Sequence, residues 1–267
     1  MSSNIPTRDV LKEDFGWEVP VETVPLPSQG LTYDPDSSLY NRKSLDIKAM
    51  TAKEEDILTS QALIKRGETV SELVKSCLSD KTINVDDMLL GDRNALMVSV
   101  RITGYGTQYK SAVTCKHCSH VNNRTIDLGN LPISFLELKP VKKGINAFEY
   151  VLPVTKKKVI FKFLSVRDER EISQTKEKMA KHFSSIVENN VTANLEQCIT
   201  AIDGITDKNK IRHFVQYMPA FDSKSLRNYM KDNEPGIKME YNLVCDECSG
   251  ASTVLVPMSS EFFWPSE

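Results

Sequence analysis

Two short cysteine pairs constrain this chain more than any other feature of its sequence. The pairs are Cys115-x-x-Cys118 and Cys245-x-x-Cys248, and each lies between runs whose composition and alternation are typical of strands. A two-residue spacer lets both sulfurs of a tight hairpin turn face one metal ion, and two such turns complete a tetrahedral site. The sequence therefore predicts one structural Zn²⁺ per chain, bound by all four thiolates and joining two distant segments.

Other interpretations of the cysteines remain open at this stage. The pairs could be reduced and metal-free, could bind another metal, or could carry redox chemistry, although a redox pair is typical of a helix N-terminus in a βαβ unit. His117 and His120 could each replace one sulfur as a ligand, but four sulfurs already suffice, which favours exposed turn histidines. Cys77 and Cys198 lie in apolar helical patterns and are interpreted as core thiols.

A site of four thiolates has no open coordination position, so a zinc ion bound there supports structure and does not activate water. The sequence also has no nucleophile elbow, phosphate-binding loop, dinucleotide fingerprint or zinc-protease motif. Gly104-Tyr105-Gly106 follows a helical pattern and is interpreted as a helix stop. We therefore expect no enzyme, no catalytic residues and no organic cofactor site.

Composition narrows the class of protein further. The chain has 267 residues, 40% of them hydrophobic and 26% charged, with a formal net charge of −2. This balance is typical of a soluble globular protein and excludes the overall basicity common among nucleic-acid-binding domains. No apolar run approaches the roughly 18 residues of a membrane span, and the first residues do not resemble a secretory signal. We expect a reducing cytoplasm, where such cysteine pairs usually bind metal.

The patterns along the chain predict an α+β fold with five segments. A small helical unit is expected beside a split ribbon of two β-hairpin knuckles, and this ribbon encloses a mixed α/β insertion. Within the insertion we expect a strand at 135–138 and a helix at 194–202. The five segments are an extended, Pro-rich acidic N-terminal arm at 1–45, the helical unit at 46–107, the split zinc ribbon at 108–130 plus 237–260, the insertion at 131–236, and an aromatic C-terminal tail at 261–267.

A lysine-rich region at 139–181 is the strongest local charge feature. It contains twelve Lys or Arg residues against five Asp or Glu residues. Three interpretations are open: a solvated surface, a docking surface for an acidic protein, or a surface that binds the phosphate backbone of a nucleic acid. The aromatic residues there alternate as in strands and are more easily placed in a core than in a base-stacking surface. They are Phe148, Tyr150, Phe161 and Phe163.

Several motifs occur together in an order that is more specific than any one of them. They are Leu26-Pro27-Ser28-Gln29-Gly30-Leu31-Thr32-Tyr33, Met50-Thr51-Ala52-Lys53-Glu54-Glu55-Asp56-Ile57-Leu58, Gly91-Asp92-Arg93-Asn94-Ala95-Leu96, Tyr105-Gly106, Thr114-Cys115-Lys116-His117-Cys118 and Phe262-Phe263-Trp264-Pro265. With these motifs the chain resembles the T4-type bacteriophage baseplate hub proteins and baseplate hub assembly chaperones. The resemblance is densest over residues 26–130 and returns at 241–265.

The resemblance implies a non-enzymatic role in building the central hub of a contractile-tail baseplate, as an assembly chaperone or as a structural component. The implied partners are other baseplate hub proteins, with no membrane and no expected nucleic acid. The implied location is the host cytoplasm during assembly, and the tail baseplate if the protein stays in the virion. The alternative is a nucleic-acid-binding zinc-ribbon protein that uses residues 139–181. Phe262, Phe263 and Trp264 are either interface anchors or a tail folded onto the chain's own ribbon.

Overall fold

The computed structural model describes residues 10–182, 190–257 and 260–263. It contains helices mixed with small antiparallel sheets, which confirms the predicted α+β class. The helices are α1 Val10–Phe15, α2 Ala52–Thr59, α3 Gln61–Arg66, α4 Thr69–Cys77, α5 Leu90–Tyr105, α6 Val166–His182, α7 Asn190–Cys198, α8 Lys208–Tyr217, α9 Ala220–Asn233 and α10 Ser260–Phe263.

The strands pair only in antiparallel fashion, in four two-stranded ladders and one three-stranded sheet. The ladders are β1–β2, β3–β4, β5–β9 and β10–β11, and the sheet has the order β6–β7–β8. The strands are β1 Val21–Pro25, β2 Ser44–Lys48, β3 Gln108–Thr114, β4 Val121–Asp127, β5 Ile133–Ser134, β6 Phe148–Val151, β7 Lys158–Phe161, β8 Ile199–Ile202, β9 Gly236–Ile237, β10 Glu240–Val244 and β11 Ala251–Leu255.

The short helices α2 to α4 form where the sequence carries capping signals and helical spacing. The Glu54 carboxylate accepts a hydrogen bond from the Thr51 backbone N–H at 3.0 Å, which completes a capping box at the start of α2. Gly67 ends α3 with a φ of 66°, a left-handed conformation that glycine adopts without strain. The apolar stripe of α4, including Leu73, Val74 and Cys77, is buried, so Cys77 is a core thiol as predicted.

Helix α5 is the central element because strand β9 and the C-terminal turn α10 both pack against it. Gly91 lies so close to the β9 strand that an added Cβ would stand 1.8 Å from the carbonyl oxygen of Pro235. Near its other end the fully buried Arg101 guanidinium donates to the carbonyl oxygens of Gly106, at 2.9 Å, and Gln108, at 3.2 Å. Arg101 also donates to the carbonyl oxygen of Phe262. One helix thus holds the ribbon and the C-terminal turn together.

The segment after β1 is attached to α5 by a buried carboxylate. Asp92 accepts hydrogen bonds from the Ser28 backbone N–H at 2.9 Å, the Ser28 hydroxyl at 2.5 Å and the Tyr33 hydroxyl at 2.5 Å. Burial raises the pKa of Asp92, and the three hydrogen bonds oppose that rise. The Tyr33 hydroxyl in turn accepts from the Leu89 backbone N–H at 2.9 Å. Two of the motifs noted in the sequence, at 26–33 and at 91–96, are therefore in direct contact.

The region between the two ribbon halves carries its own aromatic core on the β6–β7–β8 sheet. Phe148, Phe161 and Phe163 are buried against one another, with ring centroids 4.9–5.7 Å apart, as the core interpretation predicted. Tyr150 stacks on Tyr229 of α9 at 4.5 Å. Each of the five segments contributes to one connected cluster of buried apolar residues. The division into five domains stays a prediction.

Two local predictions were wrong. Residues 135–138 are not a strand; the strand in this region is β5, Ile133–Ser134, which pairs with β9. Residues 199–202 are strand β8 and not the end of a helix, because they pair with β7 and complete its sheet. A short apolar run fits helix and strand equally well, and pairing with β7 decides for residues 199–202. Residues 135–138 join no strand ladder in the part of the chain that the structure describes.

The C-terminal aromatic residues pack onto the chain itself. Phe262 is fully buried and contacts Tyr109 of β3 edge to face at 5.3 Å, and Phe263 is also buried. These two residues therefore belong to a tail that folds onto the chain's own ribbon, and they are not free interface anchors. Trp264 and Pro265 lie outside the described residues. Across the part of the chain that the structure describes, no helix combines the length and apolarity needed to cross a bilayer.

Replacing Gly91 with alanine should destabilise the fold, because the new methyl group overlaps a backbone carbonyl that cannot move aside. We expect a loss of about 3 kcal/mol in the free energy of unfolding, measured by urea denaturation. Gly104→Ala, in the same helix, is the matched control: its Cβ would meet only the Met50 side chain, whose flexible Cε is nearest at 2.7 Å and whose Cβ lies at 3.2 Å. Equal stability losses in the two variants would contradict the close approach of α5 to β9.

Candidate metal centre

The two cysteine pairs form structurally equivalent turns, here called the first knuckle (residues 115–120) and the second knuckle (residues 245–250). The first joins β3 to β4 and the second joins β10 to β11. In each, the first cysteine N–H donates to the carbonyl oxygen five residues later, at 2.8 Å and 3.1 Å. Ser119 and Ser249 occupy equivalent positions with φ angles of 60° and 55°. The sequence prediction of two matching hairpin turns is confirmed.

The structure brings all four predicted ligands together. The Sγ atoms of Cys115, Cys118, Cys245 and Cys248 all lie within 4.8 Å of one another. The distance from Cys115 Sγ to Cys248 Sγ is 3.8 Å, and that from Cys118 Sγ to Cys245 Sγ is 3.6 Å. A tetrahedral metal with bonds of about 2.3 Å to sulfur requires sulfur–sulfur distances of about 3.8 Å. The spacing therefore fits a single ion at the centre of the four sulfurs.

Backbone N–H groups of the knuckles point at the inner sulfurs. The His117 N–H donates to Cys115 Sγ at 3.4 Å, and backbone hydrogen bonds from Cys118 and His117 lower the pKa of Cys115. Backbone hydrogen bonds from Cys248, and then Glu247, lower the pKa of Cys245 to about 6. Both effects favour the thiolate form, which is the form that binds metal. Cys115 and Cys245 are buried, whereas Cys118 and Cys248 are exposed at the rim.

Polar contacts between the two hairpins hold the knuckles in register independently of any metal. The Arg124 guanidinium binds the Asp246 carboxylate through two hydrogen bonds of 2.8 Å and 2.6 Å, and donates to the Val244 carbonyl oxygen at 2.9 Å. The Asn122 side chain accepts from the Asp246 backbone N–H at 2.9 Å. On the other side, Lys116 donates to the Thr253 carbonyl oxygen. Each knuckle thus contacts the strands of the other hairpin.

Sequence reasoning missed Asn122, Arg124 and Asp246. The sequence did contain a signal for the ion pair, because Arg124 follows the first cysteine pair and the oppositely charged Asp246 lies within the second. Without knowing the angle between the hairpins, however, their contact could not be inferred. The same holds for Tyr109, whose hydroxyl donates to the Pro257 carbonyl oxygen at 2.7 Å and fixes the second hairpin beside the first.

The nearby histidines lie outside the sulfur cluster. Among the described residues, the group of potential metal ligands at this site consists of the four cysteines and contains neither His117 nor His120. The His117 ring instead packs over Gly250, and its Nε2 lies 3.3 Å from the Ala251 carbonyl oxygen. Both histidines are exposed, in agreement with the favoured interpretation. His213 stacks on Tyr217 at 4.8 Å, and Cys198 is a buried core thiol.

Much of the positive charge of the lysine-rich region is paired. Lys162 donates to Asp168 at 2.6 Å. Burial would raise the pKa of Asp168, but this hydrogen bond and others outweigh it, so the pKa is lowered. Arg170 binds Asp86 at 2.7 Å and 2.9 Å. Further ion pairs join Arg167 to Asp87, Lys157 to Asp203 and Lys158 to Glu149. These contacts favour a solvated, internally compensated surface.

No curated protein and no solved structure matches the chain. The family described as T4 bacteriophage base plate protein matches residues 32–264, a range that includes both knuckles, α5 and the buried C-terminal turn. Since this match covers most of the sequence, the chain belongs to the T4 bacteriophage base plate protein family.

Proposed function

We propose that the protein is a non-enzymatic component or assembly chaperone of the central hub of a contractile-tail baseplate. It acts through protein–protein binding on a scaffold that one zinc ion holds together, with Cys115, Cys118, Cys245 and Cys248 as ligands. The observation that carries the proposal is the closed cluster of four sulfurs within 4.8 Å of one another. Membership in a base plate family gives the setting in which such a scaffold works.

Zinc is the proposed metal because of the donor set. Four thiolates in tetrahedral arrangement suit zinc, or iron in sulfur-ligated sites, far better than magnesium or calcium. With all four positions taken by protein sulfurs, a bound ion supplies structure and no site for substrate. Structural zinc sites contribute directly to folding, so the ion would stabilise the union of the two hairpins.

The ribbon also offers surface for partner proteins. Val121, Val244 and Leu255 are more than half exposed on its strands. Exposed apolar side chains on a rigid two-hairpin platform are typical of protein-binding surfaces. The partners we propose are other baseplate hub proteins, met in the host cytoplasm during assembly.

The nucleic-acid alternative is weaker on the structure. Its surface would be the lysine-rich region, where Lys157, Lys158, Lys162, Arg167 and Arg170 each have an acidic partner. Binding of phosphates would have to compete with those ion pairs. The aromatic residues that could stack on bases are in the core or against Tyr229.

Protein purified without added metal should contain about one zinc per chain, measured by inductively coupled plasma mass spectrometry. Cys245→Ser should lower that content to well below half and lower the melting temperature, because one of four ligands is lost. Cys77→Ala is the control, since it removes a buried thiol outside the cluster. It should change stability but not zinc content. Stoichiometric iron, or metal-free protein with both hairpins folded, would refute the zinc assignment.

Tagged protein recovered from phage-infected cells should bring baseplate hub proteins with it, identified by mass spectrometry. Val244→Ser combined with Leu255→Ser should reduce their recovery at least about tenfold, because the contact would lose the burial of two exposed apolar side chains. Val191→Ser, an exposed valine on α7, is the matched control. Probing purified virions for the protein separates a permanent component from a chaperone. Recovery without any hub protein would count against the proposal.

A direct binding assay tests the alternative. With single- and double-stranded DNA and RNA, we expect dissociation constants weaker than about 10⁻⁴ M at physiological salt, because five of the basic side chains in the region already have acidic partners. A micromolar constant that weakens steeply with added salt would favour the zinc-ribbon nucleic-acid protein instead.

A further inference from the structure

An exposed apolar patch lies where the β6–β7 turn meets the α8–α9 junction. Its members are Val154, Tyr217 and Phe221, which are 53%, 76% and 61% exposed. Tyr217 is the last residue of α8, and Phe221 lies in the first turn of α9, so the two are only four residues apart. We call Val154, Tyr217 and Phe221 the apolar patch.

The apolar patch is held in place by the neighbouring buried carboxylate of Asp222. One carboxylate oxygen accepts from the Val154 N–H at 2.7 Å and the other from the Thr155 N–H at 3.0 Å. Asp222 is fully buried, and it directly follows Phe221. These bonds fix the β6–β7 turn against the start of α9. The patch is therefore ordered before any partner arrives, which lowers the entropic cost of binding.

Positive charge surrounds the apolar patch. Lys224 lies three residues after Phe221 on α9, and Lys210 lies seven residues before Tyr217 on α8, so each shares a helix face with a patch residue. Lys156 stands in the β6–β7 turn beside Val154. All three lysines are exposed. An apolar surface with a basic rim is complementary to an acidic segment that carries large apolar side chains.

The same chain contains such a segment, at residues 12–22, here called the acidic segment. It carries Glu13, Asp14, Glu18 and Glu22 against Lys12, which forms an ion pair with Glu18, so the segment keeps an excess of negative charge. Two of its aromatic side chains face solvent, with Phe15 74% and Trp17 49% exposed. Aromatic residues of this kind are frequent binding hot spots. Five non-helical residues, 16–20, separate α1 from β1 and span about 17 Å when extended, enough to place Phe15 and Trp17 against a neighbouring molecule.

We propose that the acidic segment of one copy of this protein binds the apolar patch of a second copy, with Phe15 and Trp17 against Val154, Tyr217 and Phe221. Because the two surfaces differ, the contact is heterologous, so it generates a ring where the rotation closes and a chain of copies where it does not. The proposal depends neither on the metal nor on the hub assignment.

Sedimentation velocity over a range of concentrations tests this association on the full-length protein. We expect self-association that weakens with added salt, because part of the attraction is between opposite charges. Phe221→Ser and Trp17→Ser should each weaken it at least about tenfold. Phe135→Ser is the matched control, since Phe135 is 43% exposed and lies outside both surfaces. Circular dichroism of every variant checks that it is folded.

A charge-exchange experiment distinguishes this contact from nonspecific association. Lys210→Glu with Lys224→Glu should weaken association, and so should Asp14→Lys with Glu18→Lys. Mixing the two double variants should restore it, because each then supplies the charge that the other lacks. A monomer at all concentrations would overturn the proposal. So would self-association that Phe221→Ser and Trp17→Ser leave unchanged, or a mixture of the double variants that associates no better than either alone.

Discussion

Four sulfurs from two distant parts of the chain meet within one small volume, and the rest of the architecture accommodates that meeting. Thiolates at such distances repel one another unless a cation lies among them. Contacts between the two hairpins, above all that of Arg124 with Asp246, also hold the two cysteine pairs together. The chain between residues 118 and 245 therefore forms a loop whose two ends are held together. This closure strongly restrains a region that has its own sheet and helices.

Helix α5 supplies the second restraint, and its chemistry is unusual for a core helix. It carries a buried carboxylate at one end, Asp92, and a buried guanidinium near the other, Arg101, yet the two do not neutralise each other. Asp92 is satisfied by Ser28 and Tyr33, and Arg101 by three backbone carbonyl groups. Charges satisfied only by fixed partners resist displacement, since breaking one contact leaves a buried charge unpaired. The helix thus sets the positions of both the N-terminal segment and the ribbon.

Local signals predicted much of this arrangement. The cysteine spacing predicted both hairpins and their meeting, the residue patterns predicted a helical unit at 46–107, and the motif order predicted the family. Asp92 shows the limit, because the sequence places it in a motif of its own, whereas in the structure its carboxylate binds a segment some sixty residues earlier. Strand β8 shows the same limit, as only its pairing with β7 distinguishes it from a helix end. Such contacts depend on tertiary geometry that residue patterns do not encode locally.

The split ribbon has a consequence for synthesis. Ribosomes add about 5–20 residues each second, so Cys245 follows Cys118 after a delay on the order of ten seconds. During that interval the two sulfurs of the first hairpin lack the second cysteine pair. The Phe262 carbonyl group, which accepts a hydrogen bond from Arg101, is synthesised later still. The first thiol pair must therefore remain reduced until the second hairpin emerges from the ribosome. The two hairpins can join only after the insertion between them has been made, and the unpaired first hairpin is the stage at which oxidation or a competing metal would do most harm.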